Sequence, residues 1–297
     1  MTVESRRTTR CKIIPLSDAR EPQSSPRLGS MSPTPSVGIT SDDVRFIANV
    51  VVALSLLFFF LNRALLPRVA PKYMRRDCFL LAFELTCLVP LTYCAVVGHR
   101  LWTRSLDRGF ETPYKRLHAL VAQEPREMIL VNCGFQIWDF LISFGHPKLC
   151  STEMLLHHSL AAALALTGLH MGFAQYYGAF FLGVTEISSV PLVIVDVGKY
   201  YPEFARKHPM VDLFFKFIFL LTFIAVRDVM FVKYSIQLFK DSFAVLQAGT
   251  SSVPYMIKGF LVTNVFFNVL QITWTKLLLD GVIETLRGKK DDKIKEN

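Results

Sequence analysis

The chain has 297 residues, of which 52% are hydrophobic and only 19% charged, and its formal net charge is +9. Its mean hydropathy is +0.36. A soluble domain carries roughly a quarter charged residues, whereas here the apolar residues fall in long blocks with the charges between them. That excludes an ordinary soluble enzyme, and it makes the basic balance a property of loops and tails beside a membrane, not a nucleic-acid footprint.

In chain order, residues 1–43 are rich in Ser, Thr, Pro and Arg and read as a disordered tail. No apolar stretch near Met1 fits a secretory signal, and the acids Glu4, Asp18, Glu21, Asp42 and Asp43 count against a transit peptide. A transmembrane domain spans 44–285, with helices expected at 44–66, 77–98, 127–145, 152–170, 173–198, 211–238 and 255–280. Crossing the hydrocarbon core takes about 20 largely apolar residues. The fold class is therefore all-α, a multispanning transmembrane helical bundle of about seven helices. The fifth segment holds Glu186, Ser188, Ser189, Pro191 and Asp196, which predicts a kink or a re-entrant turn. Lys and Arg are equally numerous on the two sides of such a bundle, so the positive-inside rule does not orient it.

The basic tail 286–297 ends Lys293-Ile294-Lys295-Glu296-Asn297. This has the K-x-K-x-x form of a dilysine retrieval signal, an address read by a coat-type receptor. It implies a cytosolic tail and residence in the endoplasmic reticulum membrane, the alternative being a merely soluble lysine-rich end. The six cysteines, Cys11, Cys78, Cys87, Cys94, Cys133 and Cys150, form no C-x-x-C and no metal spacing. Neither a disulfide nor a metal is assigned.

Polar groups at membrane depth usually face a bundle interior or cavity. Asn132, Gln136, Asp139 and Ser143 fall at i, i+4, i+7 and i+11, and Asn264, Asn268, Gln271 and Thr275 repeat that spacing. Each set forms one helical stripe, directed inward, serving either a site or interhelical hydrogen bonds. Lys216 and Arg227 are eleven residues apart and should share a face, with Asp212 paired to Lys216 and Arg227 paired to Asp228 or Glu186. Adjacent His157 and His158 differ by roughly 100° in direction, so only one points squarely inward. Histidine can act as base, nucleophile or ligand, or sit at the headgroup boundary. Glu186 and Ser189 share a face beside Pro191, either as a polar pocket or as a kink.

At these residues the sequence resembles the TLC-domain family, which includes ceramide synthases. The pieces are Gly134-Phe135-Gln136-Ile137-Trp138-Asp139, His157-His158, Glu186-Ile187-Ser188-Ser189-Val190-Pro191, Tyr200-Tyr201-Pro202-Glu203-Phe204, Arg227, and Asn268 with Gln271 and Trp274. The resemblance is nearest to members carrying an E-[LI]-S-[ST] stretch. It implies a barrel of six core helices plus one around a membrane-embedded pocket. It also implies catalytic roles for His157 or His158 assisted by Glu186 and Asp139, with Arg227, Ser189, Asn268, Gln271 and Trp274 binding substrate. Acyl-CoA is the co-substrate of that pattern and no other cofactor is implied. Where ceramide synthases carry H-D-x-x-D, this chain has Thr185-Glu186-Ile187-Ser188-Ser189, with one acid instead of two. The expected function is lipid or acyl-chain binding in membrane lipid homeostasis, with His-dependent acyl transfer as the alternative. A transporter would need a continuous polar path, and no internal repeat supports one.

Overall fold

The computed structural model describes residues 38–104 and 110–286. Most of the expected N-terminal tail and all of the dilysine end lie outside the described residues. Within them every regular element is helical. Six rods are long and apolar enough to cross a membrane: Ser41–Val69, Arg75–Thr103, Thr152–Met171, Gln175–Tyr200, Pro209–Gln247 and Pro254–Ile283.

The first rod joins α1 (Ser41–Phe59), a π-helical turn (Phe60–Leu65) and α2 (Leu66–Val69). Thr40 caps α1: its hydroxyl accepts the Asp43 N–H at 3.2 Å and its own N–H donates to the Asp43 carboxylate at 2.8 Å. The same carboxylate takes the Arg126 guanidinium at 2.7 Å, tying the start of α1 to the next elements. A 3₁₀ turn (Arg75–Asp77) leads into α3 (Cys78–Arg104), and α4 (Pro113–His118) is a short helix in the long connection.

α5 (Gln123–Ser143) opens with Glu124, Arg126 and Glu127 and carries the amide stripe, which keeps it out of the strongly apolar set. It nevertheless runs through the centre of the bundle. The Trp138 ring stacks on Phe83 of α3 at 5.7 Å. On its other side lies α6 (Thr152–Met171), where Gln136 meets His158 and Cys133 meets Ala162, so α5 and α6 are antiparallel. Ser151 caps α6, and Gly172 ends it at φ 60°, a left-handed position suited to glycine.

The fourth rod joins α7 (Gln175–Ala179), a π turn (Phe180–Val184) and α8 (Glu186–Tyr200). Its π turn crosses α3 so closely that a Cβ on Gly98 would stand 2.5 Å from the Gly183 Cα. Pro191 sits inside α8, and the rod continues through it as a crossing helix instead of turning back. After α9 (Pro202–Lys207) come α10 (Pro209–Phe223), a π segment (Ile224–Met230) and α11 (Phe231–Gln247). This rod overruns the expected 211–238 because Lys240 and Asp241, which look like the end of a span, lie within the helix, and Asp241 is buried against Arg116. The chain closes with α12 (Pro254–Leu286).

Exposure separates the inner rods from the outer ones. In the most apolar stretch of Arg75–Thr103, 67% of residues are buried, against 17% for Ser41–Val69 and 11% for Pro209–Gln247. The outer rods expose Val52, Leu56, Phe214, Phe217, Val262 and Ile272, which hydrocarbon solvates without penalty. Helix is the backbone form that satisfies its own N–H and C=O groups there.

Candidate functional site

The α5 stripe turns inward as its spacing predicts: Asn132, Gln136, Asp139 and Ser143 are all buried. Across from it the two adjacent histidines divide. His158 is buried, and its ring is held at both nitrogens. Nδ1 lies 2.5 Å from Gln136 Oε1, and Nε2 lies 3.2 Å from Asp139 Oδ1. An amide oxygen only accepts, so Nδ1 donates to it, and a second proton lies between Nε2 and the Asp139 carboxyl, on one or the other. Ser143 Oγ donates to the same Asp139 oxygen at 3.1 Å and completes the chain.

His157 is half-buried and turned to the side. Its ring packs edge-on against Phe267 at 5.3 Å and lies tilted against Trp274 at 5.4 Å. Its Nδ1 is enclosed without a hydrogen-bond partner among the described residues. A buried polar atom left unpaired is costly, so this nitrogen, like the unpartnered Oε1 of Gln271 on the same cavity wall, is a group that a ligand would satisfy.

A second cluster forms around Glu186 at the start of α8. Its Oε2 accepts from Ser189 Oγ at 2.7 Å and stands 3.7 Å from Arg227 Nη2. Asn132 Nδ2 reaches its other oxygen at 3.5 Å. Arg227 donates from Nε to Ser188 Oγ and from Nη2 to Ser189 Oγ, each at 2.9 Å. The consecutive hydroxyls of the Glu-Ile-Ser-Ser stretch therefore clamp one planar guanidinium, which a lysine cannot reproduce.

One sequence expectation is corrected here. Arg227 is buried while Lys216 is exposed, so they do not share a face. The π segment that carries Arg227 inserts a wider turn and rotates it inward, leaving Lys216 to pair with Asp212 outside. Of the two partners expected for Arg227, Glu186 is the one that faces it, at 3.7 Å, whereas the Asp228 carboxylate takes the Thr275 hydroxyl at 2.6 Å.

Between these clusters runs an internal cavity of about 100 Å³. His157, Gln136, Glu186, Arg227 and Gln271 line its polar end. Its wall continues along α6 through Ala161, Ala165, Gly168 and Leu169 to Phe173 and Phe260. From His157 to Leu169 is about 18 Å at 1.5 Å per residue. The far end is tied down by α4: Arg116 holds Asp241 through bonds of 2.6 and 2.7 Å, and Tyr177 donates to the same carboxylate. The hydrogen bonds to Asp241 raise the Arg116 guanidinium above its ordinary pKa, so this latch stays charged.

Of the expected site residues, His157, Glu186, Arg227 and Gln271 line the cavity, and His158, Asp139 and Ser189 stand behind them as hydrogen-bond partners. Trp274 touches the site through His157. Asn268 bonds Ser235 at 3.1 Å and the Asn264 carbonyl at 2.8 Å, and it does not line the cavity. Gln136 and Ser188 were visible as polar positions but carried no assigned role. Their importance follows only from what they touch, the His158 ring and the Arg227 fork. The small residues Ala161, Ala165 and Gly168, spaced four and three apart on α6, are the sequence signal for the thin cavity wall.

The described residues contain no cluster of His, Cys, Asp and Glu able to hold a metal ion. A comparison with curated proteins found no match. The profile of the TLC domain matches residues 85–280, which takes in α5, α6, α8, the π segment with Arg227 and most of α12. The chain thus belongs to the TLC-domain family.

Proposed function

We propose that this protein binds a lipid acyl chain inside its helical bundle and serves lipid homeostasis in the endoplasmic reticulum membrane. The observation that carries the reading is the cavity itself, apolar along most of its wall and with its charged groups, Glu186 and Arg227, at one end beside His157. At about 100 Å³ it is far slimmer than the roughly 300–1,000 Å³ of pockets for drug-sized molecules. As it stands it admits a short piece of one chain, and a whole acyl chain fits once the apolar wall along α6 gives way, with the ester, amide or thioester of its head near His157, Gln136 and Gln271. The reticulum assignment rests on the dilysine end, and the family members with an E-[LI]-S-[ST] stretch are the nearer kin in this reading.

A second reading, acyl transfer from acyl-CoA, is favoured by the enclosed, unpartnered Nδ1 of His157. That nitrogen would attack the thioester carbonyl. The C–S bond breaks, coenzyme A leaves as a thiol, and the acyl group rests on the imidazole before passing to an amine or hydroxyl. The His158–Asp139 pair would manage protons beside it. Mass spectrometry of the purified protein tests both. A stoichiometric co-purifying lipid supports binding, and an acyl adduct on His157 supports transfer. Protein free of any lipid would refute both.

A further inference from the structure

A second hollow lies outside the cavity, between the π segment and α12. It is an open groove of about 490 Å³ bounded by Arg227, Asp228, Asn268, Gln271, Thr275, Lys276 and Asp280 among others. Two features set it apart from the surrounding lipid-facing surface. It shares Arg227 and Gln271 with the cavity, so these two side chains form the partition between the spaces. Gln271 is buried, and its Oε1 has no hydrogen-bond partner among the described residues.

The groove also gathers charge along one side of α12. Lys276 supplies one cation and Asp228 and Asp280 two anions, while Arg227 at the inner wall is already balanced by Glu186. Lys276 and Asp280 form no ion pair among the described residues, and Asp228 is engaged only by the Thr275 hydroxyl. Charged side chains on a bilayer-facing surface are costly and mark a path for polar ligands. The volumes also differ in the useful direction: a roomy groove beside a slim cavity.

We propose that the groove is a lateral binding site for a zwitterionic phospholipid. The headgroup phosphate meets Lys276, the ammonium meets Asp228 and Asp280, and one acyl chain passes between Arg227 and Gln271 into the cavity. The proposal rests on the lipid-binding reading of the cavity and adds the headgroup class and the route. One lysine beside two carboxylates matches a phosphate and an amine on one molecule, whereas a purely anionic headgroup would meet two carboxylates and an uncharged diacylglycerol would leave Lys276, Asp228 and Asp280 without an ionic partner.

The test uses the full-length protein in detergent with phosphatidylcholine, phosphatidylethanolamine, phosphatidylglycerol and diacylglycerol of identical chains, read by native mass spectrometry. The wild type should favour the two zwitterionic lipids by about tenfold. Asp280→Asn, at an exposed position, should reduce that preference. Equal binding of all four, or an unchanged preference in the variant, would overturn the headgroup assignment. A paired Asp228→Cys and Thr275→Cys variant, oxidised to a disulfide, should slow exchange of cavity lipid at least about tenfold, with recovery on reduction. Exchange indifferent to the clamp would overturn the route while leaving the cavity reading intact. A wild type that holds no lipid would overturn the cavity reading itself.

Discussion

His158 Nε2 stands 3.2 Å from Asp139 Oδ1 while its Nδ1 meets Gln136 at 2.5 Å, so one ring is pinned between two residues of the neighbouring helix. His157, one residue earlier, has an enclosed nitrogen with nothing to bond. The two histidines should therefore respond differently to substitution. Asp139→Ala strips a buried partner from His158, and breaking a buried pair costs about 3–5 kcal/mol. His157→Asn removes no hydrogen bond and should stay within about 1 kcal/mol of the wild type. Thermal unfolding in detergent measures both. Equal losses would contradict the division of roles.

The guanidinium of Arg227 bonds Ser188 and Ser189 through two different nitrogens and faces Glu186. Arg227→Lys keeps the charge but loses the fork, and it should cost about 1–3 kcal/mol. Arg227→Ala should cost more, because it also leaves the Glu186 carboxylate unpaired at membrane depth. A lysine variant as stable as the wild type would show that charge alone suffices.

The stripe and the histidine pair were legible in the sequence because helical spacing is fixed: Asn132, Gln136, Asp139 and Ser143 repeat at turns of one helix, and burial followed. The sequence also revealed Glu186 and Ser189 as near neighbours. It misplaced Arg227 relative to Lys216, because a π segment breaks the 3.6-residue period on which the inference stood. It did not reveal the Arg116–Asp241–Tyr177 latch, whose partners lie 125 and 64 residues apart in the chain. Long-range pairing of that kind leaves no local spacing to read. The cavity was legible only as polar lining, since its length is set by where Phe173 and Phe260 meet, at 4.9 Å between ring centres.

His118 sits in α4 near the far end of the cavity, packed 5.6 Å from the Phe173 ring, and its Nε2 is buried without a partner among the described residues. Burial lowers its pKa from the ordinary 6.5. The folded state then prefers the neutral ring. Its contribution is present above the unfolded value of 6.5 and is lost as pH falls through the lower folded value. Hydrogen exchange in residues 110–122 should therefore speed up as pH falls below 6.5, once corrected for intrinsic rates. His118→Phe should flatten that dependence. An unchanged dependence in the variant would assign it to another group.

The dilysine end predicts location. Lys293→Ser together with Lys295→Ser should release a tagged protein from the reticulum to later secretory compartments, scored by imaging and by glycan maturation on a reporter. Residence unchanged by the double substitution would remove these lysines as its cause.

The central claim is that a lipid chain occupies the space beside α6, and Ala165 is the wall residue whose enlargement fills it most directly. The decisive measurement is the lipid-to-protein ratio of purified wild type, Ala165→Leu and Ala165→Phe, taken by native mass spectrometry alongside thermal unfolding as a control for folding. The account predicts near-stoichiometric lipid in the wild type and a stepwise loss with side-chain size while the variants remain folded. Undiminished lipid in a folded Ala165→Phe protein would contradict it.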